Sequence, residues 1–226
     1  MIKNFTFKVP ISGRVLACLK LLDKFNVNNK TILDVGSSFG WLEREILKTG
    51  KSNKLIGVDP NKDAVMFAQK KVKGARFLVG DALNLPLKNN QVDVVTLFDV
   101  IEHVPENFET KALNEVNRVL MKGGLLFLST PNSKFLLNIL DVAYLFGHRH
   151  YKKEQLIKYL KKSKFKIIES RILGGYWFSI YLIWLYLTKR ITGNFLPRNT
   201  FLENREASEF LKDNGIHTHF IVARKM

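Results

Sequence analysis

The sequence predicts a single α/β domain over residues 1–226, built on a doubly wound, mostly parallel sheet with helices on both faces. Short β-branched and aliphatic runs alternate with amphipathic stretches of helical length from residue 31 onward. Most of the runs stop at glycine, proline or aspartate. A hydrophobic fraction of 46% with 25% charged residues is ordinary for a globular protein. Parallel strands joined by right-handed crossovers then require helices on both faces.

The first predicted element is an amphipathic helix over residues 11–25, within a helical lead of residues 1–30. A cofactor-binding core over residues 31–132 should contain strands over residues 31–35, 54–59, 75–79, 92–98 and 125–129. The helices between them are predicted over residues 41–48, 61–72 and 108–121, the last one ended by Gly123 and Gly124. Residues 133–163 should form a cap and a helix, and residues 174–215 a hydrophobic insert between strands over 165–172 and 217–224.

The turn after the first strand carries the clearest functional signal. Residues 31–40 read TILDVGSSFG, a strand followed by a glycine-punctuated turn and a helix start. Such a turn aims backbone N–H groups and the positive end of a helix dipole at a ligand above the strand. A dinucleotide site has its acid at the second strand, whereas Asp34 precedes the glycines, where it would repel a pyrophosphate. The turn is therefore predicted to hold a different ligand by its main chain.

At these residues the sequence resembles the class I S-adenosylmethionine-dependent methyltransferases, whose first motif is acid-x-G-x-G-x-G after strand one. Asp34, Gly36 and Gly40 match that motif, and Ser38 stands where the middle glycine usually is. The resemblance spans residues 31–132 closely and continues more loosely through GHRHY at residues 147–151. It implies a Rossmann-like sheet of seven strands with an antiparallel last strand, and S-adenosylmethionine as the cofactor.

Three more acids fall at the ends of successive predicted strands, on the side where open parallel sheets bind ligands. The resemblance implies that Asp59 takes the ribose hydroxyls, that Asp81 lies beside the adenine and that Asp99 lies over the methionine end. Each acid alone is as typical of a helix cap or a turn, but four at successive strand ends favour a cofactor site. The predicted cofactor contacts are Asp34, Gly36, Ser37, Ser38, Gly40, Asp59, Pro60, Asp81, Ala82, Phe98 and Asp99.

Two histidines are candidates for a catalytic base. Methyl transfer from a sulfonium is an in-line displacement of an activated group, so positioning and desolvation supply much of the catalysis. His103 follows the fourth strand and His148 the fifth, both on the predicted ligand side. Each has a structural alternative, in which His103 orders its loop through a backbone hydrogen bond and His148 shapes a lid. The sequence contains no HExxH or CxxC spacing, and no metal is expected.

Two apolar segments favour a small or lipid-like apolar acceptor, methylated at oxygen. Residues 135–146 follow the fifth strand and residues 176–187 the sixth, so both leave the predicted ligand side of the sheet. Residues 176–187 are apolar all round but fall short of the roughly 20 residues that span a bilayer. They therefore need a partner, which is the protein interior, a second subunit in a homodimer, or an anionic membrane surface beside Lys189 and Arg190.

Charge and cysteine content leave two alternatives open. The formal net charge of +16 suits nucleic acid, anionic lipid or an acidic substrate, although the lysines are spread along the chain. An RNA or protein methyltransferase is one alternative, less favoured because no Asn-Pro-Pro-aromatic motif occurs, and a catalytically silent cofactor-binding protein is the other. Cys18 is the single cysteine, and no signal peptide is recognised at the start of the chain. We expect a cytoplasmic protein, peripheral on the membrane if its acceptor is a lipid.

Overall fold

The computed structural model describes residues 12–51, 54–133, 148–192 and 199–226. Its centre is a seven-stranded sheet, flanked by seven helices in the described ranges. The strands are β1 Thr31–Val35, β2 Lys54–Asp59, β3 Ala75–Val79, β4 Val92–Phe98, β5 Leu120–Pro131, β6 Phe165–Leu173 and β7 Thr218–Lys225. The helices are α1 Gly13–Lys24, α2 Trp41–Lys48, α3 Lys62–Lys71, α4 Glu109–Val119, α5 Lys153–Lys162, α6 Tyr176–Thr192 and α7 Thr200–Phe210, with a 3-10 turn at Ile101–His103.

The strand order β3-β2-β1-β4-β5-β7-β6 confirms the doubly wound prediction. Strands β1 to β5 pair in parallel, and β7 runs antiparallel to both β5 and β6. The winding reverses between β1 and β4, because β1 pairs with β2 on one side and with β4 on the other. Ligands of such sheets sit beyond the carboxyl ends of the strands at this reversal.

The predicted bounds of β1 to β4 match the structure, but the predicted end of α4 was wrong. That helix ends at Val119, and β5 begins at Leu120, so Gly123 and Gly124 lie inside the strand. The physical reason is a register shift, since Val92 pairs with Leu120 whereas Val94 pairs with Leu125. Gly123 takes a φ of +76° within that irregularity, which is a conformation that favours glycine. The glycines therefore bend a strand and do not stop a helix.

Both faces of the sheet are buried. On one face Leu126 and Leu128 of β5 pack in a cluster with residues of α4 and α5. On the other face Phe127 of β5 packs with residues of α1, α6 and α7, which include the buried Cys18 and Phe178. Burial on both faces explains the continuous apolar runs from which these strands were predicted.

The predicted insert folds as the helices α6 and α7. Two glutamates of α7 hold the amino ends of neighbouring helices: the Glu206 carboxylate accepts from Gly13 N at 2.9 Å, and the Glu209 carboxylate accepts from Gly175 N at 3.0 Å. Glu209 also accepts from the backbone N–H of Phe178. A carboxylate at a helix amino end satisfies unpaired N–H groups and interacts favourably with the helix dipole. The lead helix and the insert are thereby joined at α7.

Two of the sequence-based predictions fall on residues that the structure does not describe. The apolar residues 135–146 lie outside the described residues, as does Ile11 at the predicted start of the first helix. Across the ranges that are described, no helix combines the length and the apolar character needed to cross a membrane.

Candidate functional site

The β1–α2 turn takes a left-handed backbone at three positions, with φ of +81° at Gly36, +47° at Ser38 and +78° at Gly40. A Cβ atom at Gly36 would lie 2.3 Å from a methyl carbon of Val100, so packing as well as backbone conformation requires glycine there. Ser38 adopts a conformation in which glycine is unstrained. This explains why glycine is usual at the corresponding place of the methyltransferase motif, and how a small residue can replace it.

Asp59 joins the first turn to the second. Its Oδ2 accepts from Ser38 N and its Oδ1 accepts from Asn61 N, both at 2.8 Å. The turn is also fixed to β2, because Gly36 N and Ser37 N donate to Val58 O at 2.8 and 3.1 Å. Each carboxylate oxygen of Asp59 can accept a second hydrogen bond, so the side chain can organise both turns and still bind ligand hydroxyls.

Asp34 lies under the turn, enclosed by the sheet. Its side chain is buried and accepts from Thr96 Oγ1 at 2.5 Å. Burial raises the pKa of the Asp34 carboxyl to about 7, against the lowering effect of the Thr96 hydrogen bond, and the Asp59 charge raises it further. This hydrogen bond fixes the Asp34 side chain to β4, and its predicted contact with the cofactor stays a prediction.

Glu43 is a residue of this region that the sequence analysis missed. It lies in the first turn of α2, fully buried, and neither carboxyl oxygen has a hydrogen-bond partner among the described residues. Burial, and then the nearby Asp34 carboxyl, raise the pKa of Glu43 well above its ordinary value. The residue in the sequence that could have indicated a buried side chain here is Gly57, in the middle of β2. A Cβ atom at Gly57 would lie 2.6 Å from Glu43 Oε1, so the glycine makes room for the Glu43 carboxyl.

The residues of this turn fit a nucleoside linked to an amino acid. The buried Ser37 Oγ has no partner within the described ranges, and α2 begins at Gly40 without a side-chain cap. Open backbone donors at the start of α2 suit a carboxylate, while the spare acceptor sites of Asp59 suit ribose hydroxyls. S-adenosylmethionine carries both groups, a carboxylate in its methionine half and ribose hydroxyls in its adenosine half.

The predicted contacts after β2 and β3 are of different kinds. Pro60 is exposed, and Asp81 is exposed with its Oδ1 accepting from Leu83 N at 2.8 Å, which is the turn-forming role weighed as an alternative. Ala82 is buried in the core cluster that also contains Leu85. Asp81 can shape this turn and still accept a further hydrogen bond from a ligand.

The end of β4 is tied to the lead helix. Asp99 takes a φ of +53°, its Oδ1 accepts from Ser129 Oγ at 2.9 Å, and its Oδ2 pairs with Arg14 Nη1 at 2.6 Å. Arg14 also stacks over the Phe178 ring, 4.9 Å from its centroid. Phe98, just before Asp99, packs against the core on the α1 side. Arg14 was missed by the sequence analysis because it lies far from Asp99 along the chain.

The two candidate bases lie side by side. The ring centroids of His103 and His148 are 4.4 Å apart with an interplanar angle of 83°. His103 is exposed at the surface, but partial desolvation of its ring, and then the His148 ring, lower the pKa of His103, with Arg149 acting in the same direction and Asp99 in the opposite one. His103 therefore holds its neutral form, which can accept a proton, over most of the physiological pH range.

Arg149 holds the loop that carries His103. Its guanidinium donates to the backbone oxygens of Ile101, Glu102 and Val104 and pairs with Glu109 Oε1 at 2.9 Å. Beneath the loop Glu102 is buried and accepts from Thr130 Oγ1 at 3.0 Å. Burial, and then Asp99, raise the pKa of Glu102 to about 8. Arg149 and Glu102 thus order this loop, and the role of the His103 side chain stays a prediction.

Comparison with known proteins places this geometry in context. Residues 33–128 match the family model of a methyltransferase domain. A ubiquinone/menaquinone biosynthesis C-methyltransferase (UbiE) of Campylobacter jejuni is 28% identical over 126 residues, covering 54% of this chain and 53% of the relative. The 2-methyl-6-phytyl-1,4-hydroquinone methyltransferase of Spinacia oleracea chloroplasts is 29% identical over 164 residues, 70% of this chain and 46% of the relative. The chain therefore spans about half the length of the curated relatives it matches.

Solved structures agree on the fold. An S-adenosylmethionine-dependent methyltransferase from Methanosarcina mazei superposes with a TM-score of 0.65 at 20% identity, covering 91% of this chain and 97% of the other. The [4+2]-cyclase SpnF superposes with a TM-score of 0.68 at 17% identity, covering 94% and 81%. At these identities the likeness shows the fold alone, and the cyclase illustrates that one fold hosts more than one chemistry.

Proposed function

We propose that this chain methylates a small or lipid-like apolar acceptor. Its residues 33–128 match a methyltransferase domain, and the relatives it matches are methyltransferases, which implies S-adenosylmethionine as the cofactor. Both the acceptor and the transfer itself are proposals, because the match covers only about half of each relative's length. The acceptor atom that we propose is oxygen.

One contact carries the proposal for an apolar acceptor. Phe178, in the first turn of the apolar helix α6, packs over Arg14, which in turn pairs with Asp99 at the end of β4. The Phe178 ring also meets the ring of His217, the residue just before β7, with centroids 4.4 Å apart. An apolar helix thus lies against the edge of the sheet where the family binds its methyl donor, which suits an acceptor with an apolar surface.

The names of the relatives support the same acceptor class. The spinach relative is named for a hydroquinone that carries a phytyl chain, and a relative from Staphylococcus saprophyticus, 31% identical over 135 residues, is named as a demethylmenaquinone methyltransferase. It covers 55% of this chain and 57% of that relative. A hydroquinone offers a weakly acidic hydroxyl on an aromatic ring, so its methylation benefits from a base.

The described residues have separate tasks in this reaction. When bound, S-adenosylmethionine supplies a methyl carbon that its sulfonium sulfur has already activated for displacement. Asp59 and the β1–α2 turn fix the position of the donor, and the apolar residues around Phe178 exclude water and orient the acceptor. Neutral His103 accepts the hydroxyl proton at an imidazole nitrogen as the acceptor oxygen becomes a nucleophile. Desolvation, and then the neighbouring His148 ring, lower the pKa of that imidazole and favour its neutral form.

Oxygen is proposed because a neutral histidine suits the removal of a hydroxyl proton. A phenolate also carries negative charge on its ring carbons, so the same proton removal serves methylation at carbon. Carbon is the atom named for the Campylobacter relative, and oxygen the atom named for a ubiquinone biosynthesis O-methyltransferase of Candida albicans, 32% identical over 118 residues, which cover 49% of this chain and 35% of that relative. Analysis of the product by nuclear magnetic resonance separates the two outcomes.

The test is to incubate the protein with methyl-labelled S-adenosylmethionine and total cell extract, and then to fractionate the products. We expect label in the organic-soluble fraction, and its loss with Asp59→Asn. Label in RNA or protein would replace the proposal with the basic-surface alternative that the +16 charge allows. Cofactor binding without transfer to any fraction would leave a catalytically silent binding protein.

A further inference from the structure

The outer face of α6 is a continuous exposed apolar stripe. Tyr176, Ile180, Leu187 and Ile191 follow one another at helical spacing, so they lie on one side of the helix. All four are exposed, from 44% at Ile180 to 79% at Ile191. A scattered surface leucine needs no explanation, but a contiguous stripe of large apolar side chains marks an interaction surface.

The opposite side of the same helix is already occupied. Phe178, Ser179 and Thr188 are buried, and Leu182 packs against the core cluster that contains Phe127. The inner side of α6 therefore packs on the core and holds the helix in place, and the exposed stripe is not needed for that packing. The described residues thus account for the apolar inner side of the helix and leave its apolar outer side exposed.

Aromatic and basic side chains extend the stripe. Phe201 of α7 is 56% exposed and meets the edge of the Trp177 ring, with centroids 5.6 Å apart. The Arg205 guanidinium lies over both rings, 5.6 Å from the Trp177 centroid and 5.4 Å from that of Phe201. Arg190 is exposed and precedes Ile191 at the far end of the stripe. An apolar surface is thus flanked by two arginines.

We propose that this docking face, consisting of Tyr176, Ile180, Leu187, Ile191 and Phe201, lies in the interface of an anionic lipid bilayer. An apolar helix face beside basic residues suits the boundary between headgroups and acyl chains, and tyrosine and tryptophan are enriched there. Helix α6 has 17 residues, fewer than the roughly 20 apolar residues that span a bilayer. The net charge of +16 attracts the whole protein to an anionic surface.

Charge favours a bilayer over a second copy of this chain. A symmetric dimer through the docking face would bring together two proteins of +16 each, with Arg190 and Arg205 of both copies near one interface. A bilayer with anionic headgroups offers the opposite charge at the same place, beside an apolar layer that receives the stripe.

Docking would also bring lipid close to the candidate site, a consequence that rests on the proposed function. The inner side of α6 presents Phe178 to the Arg14–Asp99 pair, while its outer side presents the docking face. One helix would then separate the bilayer from the methyl-transfer site. Membrane binding itself does not depend on methyl transfer, and the two can fail separately.

The experiment measures co-sedimentation of the full chain with two kinds of vesicle, one of phosphatidylcholine alone and one of phosphatidylcholine and phosphatidylglycerol in equal parts. Leu187→Glu and Ile191→Glu place a charge in the docking face. Met66→Glu is the matched control, because Met66 is exposed on α3, which packs beside β2 and β3 at the far edge of the sheet. Melting temperature and calorimetry of S-adenosylmethionine binding establish that each variant is folded.

We expect the wild-type protein and Met66→Glu to sediment with the anionic vesicles. The two docking-face variants should bind these vesicles at least about tenfold more weakly. Binding to neutral vesicles should be weaker, and salt should reduce binding to the anionic ones. The proposal is overturned if the wild-type protein stays in the supernatant, or if the docking-face variants bind as well as Met66→Glu. It is also overturned if sizing shows a dimer that Leu187→Glu converts to a monomer, which would assign the face to a second copy.

Discussion

The imidazole rings of His103 and His148 meet edge to face with their centroids 4.4 Å apart. His103 lies in the turn after β4, and His148 lies on the chain that returns toward β6. Partial desolvation, and then the repulsion that two cationic rings this close would feel, lower the pKa of His103. The pairing thus supplies a neutral imidazole at the edge of the sheet where methyl transfer is proposed.

Replacement of that imidazole should slow catalysis and leave cofactor binding intact. For His103→Gln we expect kcat to fall by about 10²- to 10⁴-fold, the range typical of a lost general base, with an unchanged Kd for S-adenosylmethionine. In the wild-type protein kcat should decline on acidification only below pH 6.5, because the pKa of His103 is lowered from that value. This acid limb should be absent from the variant.

His148→Gln is the matched control for that prediction. It removes the neighbouring ring that lowers the pKa of His103, so the acid limb should move to higher pH while kcat at alkaline pH is preserved. A His103→Gln enzyme with kcat within twofold of wild type would rule out proton transfer by this residue.

Asp59 should contribute strongly to cofactor affinity. Asp59→Asn keeps one oxygen acceptor and the size of the side chain but removes the charge, and we expect a loss of about 1.5 to 3 kcal/mol in binding, measured by calorimetry. Asp63→Asn, at an exposed position in the first turn of α3, is the control and should bind normally. Affinity within twofold of wild type in Asp59→Asn would mean that the ribose is held elsewhere.

The stability of the β1–α2 turn should survive replacement of Ser38 by glycine but not the replacement of Gly36. Ser38→Gly relieves a left-handed backbone, so its free energy of unfolding should stay equal to wild type or rise by up to about 1 kcal/mol. Gly36→Ala should lower stability by about 2 kcal/mol or more, because its methyl group would lie 2.3 Å from Val100 Cγ2 at a φ of +81°. Chemical denaturation measures both, and equal stability of the two variants would contradict this account of the turn.

Glu102 should make stability depend on pH. Its pKa is about 8 in the folded protein against an ordinary value of 4.5, so between these values the folded state keeps a proton that the unfolded chain releases. The contribution of Glu102 to stability is therefore full below pH 4.5 and is lost as pH rises toward 8. The slope is on the order of 1 kcal/mol per pH unit.

Glu102→Gln carries no titratable group and should remove that slope from the free energy of unfolding. Glu154→Gln, at an exposed position in the first turn of α5, is the control and should keep the wild-type slope. Parallel stability curves for Glu102→Gln and wild type from pH 5 to pH 8 would show that Glu102 is ionised in the folded state.

The strands of the core were predictable because their signals are local. Apolar runs ending at glycine or aspartate define β1 to β4, and the family motif drew attention to Gly36, Asp59 and Asp99. The extra length of β5 was not predictable, because it depends on the pairing of Leu120 with Val92 of the neighbouring strand. In the sequence alone, glycines that end a helix cannot be distinguished from glycines at an irregularity within a strand.

The missed site residues depend on contacts between distant parts of the chain. Arg14 reaches Asp99 across 85 positions, and Glu206 caps α1 at Gly13 across 193 positions. Such contacts cannot be predicted from the spacing of apolar residues within a short stretch of sequence. Glu43 was missed for a different reason, since a glutamate in the first turn of a helix ordinarily favours the helix dipole and faces solvent, whereas here it is buried.

The central claim, methyl transfer to an apolar acceptor, is tested most directly by measuring S-adenosylhomocysteine release with two matched acceptors. One is a hydroquinone carrying an isoprenoid chain, presented in detergent micelles, and the other is the same hydroquinone without the chain, tested with and without micelles. We predict release with the chain-bearing acceptor, at a kcat/KM at least about tenfold higher than without the chain, since several buried CH₂ groups add to binding. No release with either acceptor, from a protein that binds S-adenosylmethionine by calorimetry, would contradict the claim.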